Sequence, residues 1–267
     1  MKTNYHTHTQ RCRHAQGTGE DYVRAALDAG VSVLGFSDHA PFPDVDYGYR
    51  MPYEELGEYF AEVDRLTEEH ASDIIIKKSL EIEYLPQYRD YYEMLYSRYH
   101  VDYLLLGEHF FRDRDGGVFN ITTQATSTED YLRYARAVEE ALETGLFQMV
   151  AHADIFTMSH LPWDRNCEAA TDIILDAVKR TGTILEFNAN GLRRGIFDYP
   201  EGPRPMYPHR DFWAKVPGSG IPVIVGSDCH NPAQVWDDRM QEALGILNWI
   251  DITPCDTMEQ ANIKLKM

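Results

Sequence analysis

Apolar residues along the 267-residue chain fall into two rhythms. Short runs rich in Val, Ile, Leu and Phe recur in TNYHTH, VSVLGFSDH, IIIKKSLEIEY, VDYLLLGEH, FQMVAHAD, GTILEFNANG and PVIVGSDCH, the pattern of buried strands. Between them lie longer stretches with apolar positions three to four apart. In TEDYLRYARAVEEALETG, the residues Tyr131, Ala135, Val138 and Leu142 line one helical face, and Gly145 is placed to end it. EDYVRAALDAG also reads as a helix. Seven such βα units predict a mostly parallel sheet. No linker rich in Gly, Pro or Ser interrupts the alternation, so one domain over residues 1–267 is expected.

Alternation alone leaves open a choice between an open doubly wound sheet and a closed barrel. The residues at the C-terminal ends of the predicted strands decide it. In order they are His6 and His8, Asp38 and His39, Glu81, His109, His152 with Asp154, Asn188, and Asp228 with His230. In an open sheet these ends would be strung along a line, whereas a barrel gathers them around one mouth. A closed α/β barrel, similar to a TIM barrel, is therefore expected.

Seven of the eleven histidines lie at or just after strand ends; His70, His100, His160 and His209 do not. Residues two apart on an extended strand point to the same side, so His6 and His8 can grip one ion. Imidazole plus carboxylate without thiolate suits Zn, Mn or Fe as divalent ions. The candidates outnumber the needs of one ion, which points to two or three, and clustered metals are a usual means of clamping a phosphoryl group.

Charge narrows the partners. The formal net charge of −18 disfavours nucleic acid and anionic membrane. No apolar run of about eighteen residues and no signal-like start occur, so a cytoplasmic, soluble protein is expected. Cys12, Cys167, Cys229 and Cys255 lie far apart with no C-x-x-C pair, and reduced thiols are expected. Cys229, between two candidate ligands, is expected to point into the core.

The motifs HTHT, SDHA, LEIEY, GEHF, AHAD and GSDCH, in this order from His6 to His230, resemble the polymerase and histidinol phosphatase (PHP) superfamily. SDHAPFP, DYLLLGEHF and EFNANGLRRG are most similar to its monofunctional histidinol-phosphate phosphatase branch, and the resemblance implies an α/β fold of the distorted (βα)7 barrel type. The resemblance implies that His6, His8, Glu81 and Asp228 hold one ion, that Glu81 bridges to a second ion on His109 and His152, and that His14, His39 and His230 hold a third. Asp38 and Asp154 neighbour these ligands. They are expected to orient imidazoles or to serve as the acid for the leaving group.

The Arg193 and Arg194 pair in NANGLRRG is a candidate for phosphate binding, with one of the two expected in that role. The resemblance implies hydrolysis of L-histidinol phosphate, a small phosphate monoester, by attack of a metal-bound hydroxide. Action on another small monoester or nucleotide would use the same ligands. The loop PFPDVDYGYRMPYEE is expected to form an acidic, aromatic rim for the substrate's amine and imidazole, with Phe42, Asp44, Asp46, Tyr47, Tyr49, Glu54 and Glu55.

Overall fold

Strand and helix alternate along the chain, and every ladder among the main strands is parallel. The computed structural model describes residues 1–261. Its twelve strands are β1 (Thr3–Asn4), β2 (Val33–Phe36), β3 (Ile75–Lys78), β4 (Glu81–Ile82), β5 (Leu105–Leu106), β6 (Phe110–Arg112), β7 (Val118–Asn120), β8 (Met149–Val150), β9 (Ile184–Asn188), β10 (Phe197–Tyr199), β11 (Gly202–Arg204) and β12 (Val223–Gly226). The helices are α1 (Gly19–Asp28), α2 (Leu56–Glu69), α3 (Arg89–Tyr99), α4 (Ile121–Gln124), α5 (Glu129–Glu143), α6 (Arg165–Thr181), α7 (Asn190–Arg193), α8 (Arg210–Trp213) and α9 (Asp238–Trp249).

Two parallel arcs, β1-β2-β3 and β12-β9-β8-β5-β4, carry the fold. Single parallel bridges join them, Thr7 with Cys229 at one seam and His39 with Glu81 at the other. Full ladders therefore stop short of a complete ring, which is the distortion of the seven-stave barrel. The stave expected from IIIKKSLEIEY is split. Its first half, β3, pairs with β2, and its second, β4, pairs with β5. Two antiparallel hairpins, β6-β7 and β10-β11, decorate the C-terminal ends. The first spans FFRDRDGGVFN, whose Asp-Gly-Gly turn between aromatic runs is a hairpin signal.

Helix ends follow side-chain chemistry. Thr18 and Asp21 form a reciprocal capping box on α1, and Asp164 accepts the amides of Asn166 and Cys167 at the start of α6. Gly145, at φ +69°, donates its amide to Leu142 just after α5, as its position in the sequence predicts. The inward face of α5, including Tyr131, Ala135, Val138 and Leu142, is fully buried and packs chiefly on α6.

Strand residues alternate between two packed layers. Val33, Leu105, Met149, Ile184 and Ile224 join Tyr5 and Tyr103 in one apolar cluster, while Leu34, Leu106, Val150, Leu185 and Val225 join the large cluster shared with the helices. Continuing the first series by twos toward the C-terminal ends gives Gly107 and His109, Glu186 and Asn188, and Gly226 and Asp228. An apolar floor thus gives way to a layer of acids, then to the mouth. The glycines of that layer are spacers: a Cβ on Gly107 would lie 2.1 Å from Glu81 Oε1, and one on Gly226 would lie 1.7 Å from Glu186 Oε1.

Gly226→Ala is therefore expected to cost at least about 2 kcal/mol of stability by forcing Glu186 from its seat. Gly245→Ala, inside α9 with open space at the Cβ position, is expected to raise stability by roughly 0.5–1 kcal/mol. Urea unfolding of both variants reads the two opposite signs; equal midpoints would remove the spacer role of Gly226.

Candidate metal centre and active site

Seven histidines and two acids meet at the mouth, and Glu81 is at their centre. Its Oε1 faces His152 Nε2 at 2.9 Å and His109 Nε2 at 3.7 Å. Its Oε2 faces His6 Nε2 at 3.2 Å, His8 Nε2 at 3.2 Å and His39 Nδ1 at 3.1 Å. Asp228 Oδ1 lies 3.3 Å from His8 Nε2 and 3.7 Å from His6 Nε2. His14 and His230 form the outer edge, with their Nε2 atoms 2.8 Å apart. His39 stands between the two sets, close both to Glu81 and to the rings of His8 and His14.

This donor set fits divalent cations. Glu81 Oε2 is buried and forms no hydrogen bond, although three imidazole nitrogens surround it. The Nε2 atoms of His6 and His8 approach to 2.9 Å, a contact of two lone pairs unless a proton or a cation lies at their focus. Triads of His, Asp and Glu with ligand-atom spacing occur at His6-His8-Glu81, His6-His152-Asp228, His39-Glu81-His109 and His8-His39-His230.

The strands and their turns explain this convergence. His6 and His8 flank Thr7, which bridges to Cys229, so both rings project to one side. His152 and Asp228 adopt φ of +27° and +46° just past β8 and β12. Such backbone costs of order 1–3 kcal/mol per non-glycine residue and swings each side chain into the mouth. Asp228 is steadied by the side-chain amides of Asn188 and Asn190, which donate to its Oδ2 at 3.2 and 3.1 Å. Cys229 points into the apolar core, as expected.

Electrostatics divide the histidines. Burial opposes charge on His6, but Glu186, Asp228 and Glu81 outweigh it and raise its pKa well above the ordinary value. Burial likewise opposes charge on His8, but the adjacent carboxylates of Asp228 and Glu81 outweigh it and raise its pKa to about 9. Burial lowers His39 well below the usual range and His230 to about 3. Burial would raise Glu81 and Asp228, yet the surrounding imidazoles hold both well below the usual carboxylate range.

The ring-orienting groups are not the expected ones. Glu186 accepts from His6 Nδ1 at 2.8 Å and from the His152 amide at 3.0 Å, and Glu83 meets His109 Nδ1 at 3.0 Å. Both acids have a sequence signal: each lies two residues from another inward residue, Glu83 from Glu81 and Glu186 from Asn188. Asp38 lies near His8 but forms no hydrogen bond with an imidazole. Its carboxylate accepts from the Thr9 amide and from the Cys12 thiol. Burial pushes Asp154 up to about 6, a suitable value for an acid, but its carboxylate is held by the His209 amide and the Trp213 indole. Both are buried off the cavity wall.

A cavity of about 410 Å³ opens above the acids, lined by Glu81, Asp228 and His152 below and by Tyr47, Tyr49 and Arg194 higher up. The arginine pair is divided. Arg193 forms a two-pronged pair with Asp237 and donates to the carbonyls of Ser227 and Gln234, while Arg194 faces the cavity beside the Tyr207 hydroxyl. The rim loop is aromatic at the mouth, not acidic. Asp46 pairs with Arg13, Asp44 accepts from the Tyr88 hydroxyl, and Glu55 turns toward Arg11 on the short 3-10 turn that it shares with Glu54. Phe42 is buried against Tyr47 and Tyr88.

Arg50, from the same loop, was not anticipated. Its guanidinium is buried, grips both oxygens of Glu83 at 3.0 and 3.2 Å, and donates to the carbonyls of Ala40 and Gly48. It lies among the rings of Phe42, Tyr47 and Phe110.

The family pattern described as the PHP domain matches residues 4–190. The chain is similar to the probable histidinol-phosphatase of Deinococcus radiodurans, 32% identical over 247 aligned residues that cover 86% of each protein. It is 24% identical to the histidinol-phosphatase of Bacillus subtilis over 263 aligned residues, covering 88% of this chain and 96% of that one. Among solved structures, the histidinol phosphate phosphatase from Lactococcus lactis, complexed with zinc, L-histidinol and phosphate, shares the fold at TM-score 0.70 and 17% identity, with 95% of both chains covered.

The divided arginine pair gives a stability contrast. Arg193→Ala is expected to cost about 1.5–3 kcal/mol, since it strands Asp237 and two carbonyls, whereas Arg194→Ala is expected to stay within about 0.5 kcal/mol of the parent. Chemical denaturation distinguishes them, and a stable Arg193 variant would refute the bracing role.

Proposed function

The chain belongs to the PHP domain family, and from that premise we propose that it is a metal-dependent phosphatase that hydrolyses L-histidinol phosphate to L-histidinol and phosphate. The observation that carries the reading is the split environment of Glu81 at the floor of an open cavity, with imidazoles of two sets on its two oxygens. Relatives named for this activity along most of the chain support it.

In this reading two or three divalent ions would be held by His6, His8, Glu81 and Asp228, by Glu81, His109 and His152, and by His14, His39 and His230. Zn, Mn and Fe all suit these donors. Bound there, such ions supply Lewis acidity toward the phosphoryl oxygens and an activated water at neutral pH. The protein's own groups do the rest. Glu186 and Glu83 keep the rings of His6 and His109 aimed inward. Arg194 takes phosphate oxygens by charge-assisted hydrogen bonds, a cation placed where negative charge accumulates as the ester bond breaks. Asp38 and Asp154 remain candidates for the acid that protonates the leaving alkoxide, and Asp154, raised by burial to about 6, has the more suitable value.

At the other end of the substrate, Tyr47 and Tyr49 offer flat faces for an imidazole, and the Tyr49 ring is 70% exposed at the entrance. The protein acts on a small molecule. Its formal charge of −18 disfavours a nucleic-acid partner, and among the described residues no helix is long and apolar enough to cross a membrane. The rim acids that face away from the mouth favour a second reading, a phosphatase acting on another small phosphate monoester or nucleotide.

A comparison of kcat/KM for histidinol phosphate, phosphoserine, a nucleoside monophosphate and p-nitrophenyl phosphate decides between them. A preference for histidinol phosphate of at least about a hundredfold, roughly 2.7 kcal/mol, is expected; equal rates on all four would favour the second reading. Arg194→Ala is expected to lower kcat/KM by about 10²-fold with metal content unchanged. Unaltered kinetics in that variant would take the phosphate from Arg194.

A further inference from the structure

Two of the inner imidazoles are aimed by carboxylates, His6 by Glu186 and His109 by Glu83. His8 is aimed differently. Its Nδ1 lies 3.4 Å from the sulfur of Cys12, four residues on. The same sulfur donates to Asp38 Oδ1 at 2.9 Å and accepts the backbone amide of His39 at 3.1 Å. The carbonyl of Cys12 meets His14 Nδ1 at 2.6 Å. The side chain is fully buried.

The local backbone produces these contacts. Gln10–Cys12 form one 3-10 turn, with Thr9 at its start accepting the Arg11 amide and Arg13 at φ +62° closing it. The turn brings the sulfur back over His8 and leaves the Cys12 carbonyl facing His14 two residues later. We propose that Cys12 is a positioning residue for the outer half of the metal centre, fixing the rings of His8 and His14 and the backbone of His39 at once. The inference rests on the metal reading above in taking these three histidines as ligands. A neutral thiol suits the place because it adds no second negative charge beside Asp38. Asp38 takes part as well: it orients the thiol that orients His8.

The test separates hydrogen bonding from packing. Cys12→Ser keeps a donor and acceptor, Cys12→Ala removes both, and Cys12→Val fills the space without either. Zinc affinity and stoichiometry are measured by competition with a chelator, and thermal unfolding of the metal-free proteins checks that each is folded. Zinc binding is expected to weaken by 10- to 100-fold in the Ala and Val variants, with the loss of up to one equivalent, and to return to within about threefold of the parent in the Ser variant. A Val variant that binds zinc like the parent, or a Ser variant as weak as Ala, overturns the proposal. A parent protein that binds no zinc, manganese or iron overturns both this proposal and the metal reading. Failure to hydrolyse histidinol phosphate with zinc binding intact counts against the substrate alone, while the variant series still decides the role of Cys12.

Discussion

A carboxylate inside a barrel is the constraint around which this molecule is arranged. Glu81 is nearly inaccessible to solvent, and removing an ionised acid from water is prohibitive unless opposite charge or hydrogen-bond donors replace the lost hydration. The surrounding imidazoles supply that replacement, and they can approach only because the neighbouring staves leave space. Gly107 on one side and Gly226 beside Glu186 on the other mark where a methyl group would strike an acid. The apolar floor of Leu105, Met149, Ile184 and Ile224 beneath keeps water out and sets the low dielectric in which these contacts act.

The strand-end pattern of His, Asp and Glu was readable in the sequence because ligand chemistry restricts residue type and strand geometry restricts spacing. The seven staves followed from the same regularity. What lay beyond reading was the choice among neighbouring polar residues. Asp154 and Glu186 look alike as acids near a strand end, and only the pleat tells which one faces His6. Glu186 belongs to the inward series of β9, whereas Asp154 follows β8 after the turn at His152 and bonds to Trp213. Arg193 and Arg194, adjacent in the chain, are separated by the short helix α7, which gives one to Asp237 and the other to the cavity.

The rim shows the same limit on a larger scale. A loop rich in acids and tyrosines suggests both kinds of surface, but the acids find partners in Arg13, Tyr88 and Arg11 as the loop folds over. Tyr47 and Tyr49 remain at the opening. Residue composition can name the chemistry available to a loop; competition among its own partners decides what reaches the ligand.

Arg50 joins that loop to the site beneath it. Its guanidinium clasps Glu83, which in turn holds His109, so the segment that carries Tyr47 and Tyr49 is moored to a proposed ligand through two charged groups. Evolution toward new substrates therefore has unequal freedom along a few adjacent positions. Tyr49 can be exchanged at its exposed tip with little consequence below, and Tyr47 with moderate repacking, but a change at Arg50 strands the Glu83 charge and loosens an imidazole. Descendants of this scaffold with altered selectivity should diversify around that arginine and retain it, because recognition and metal retention share a single anchor there.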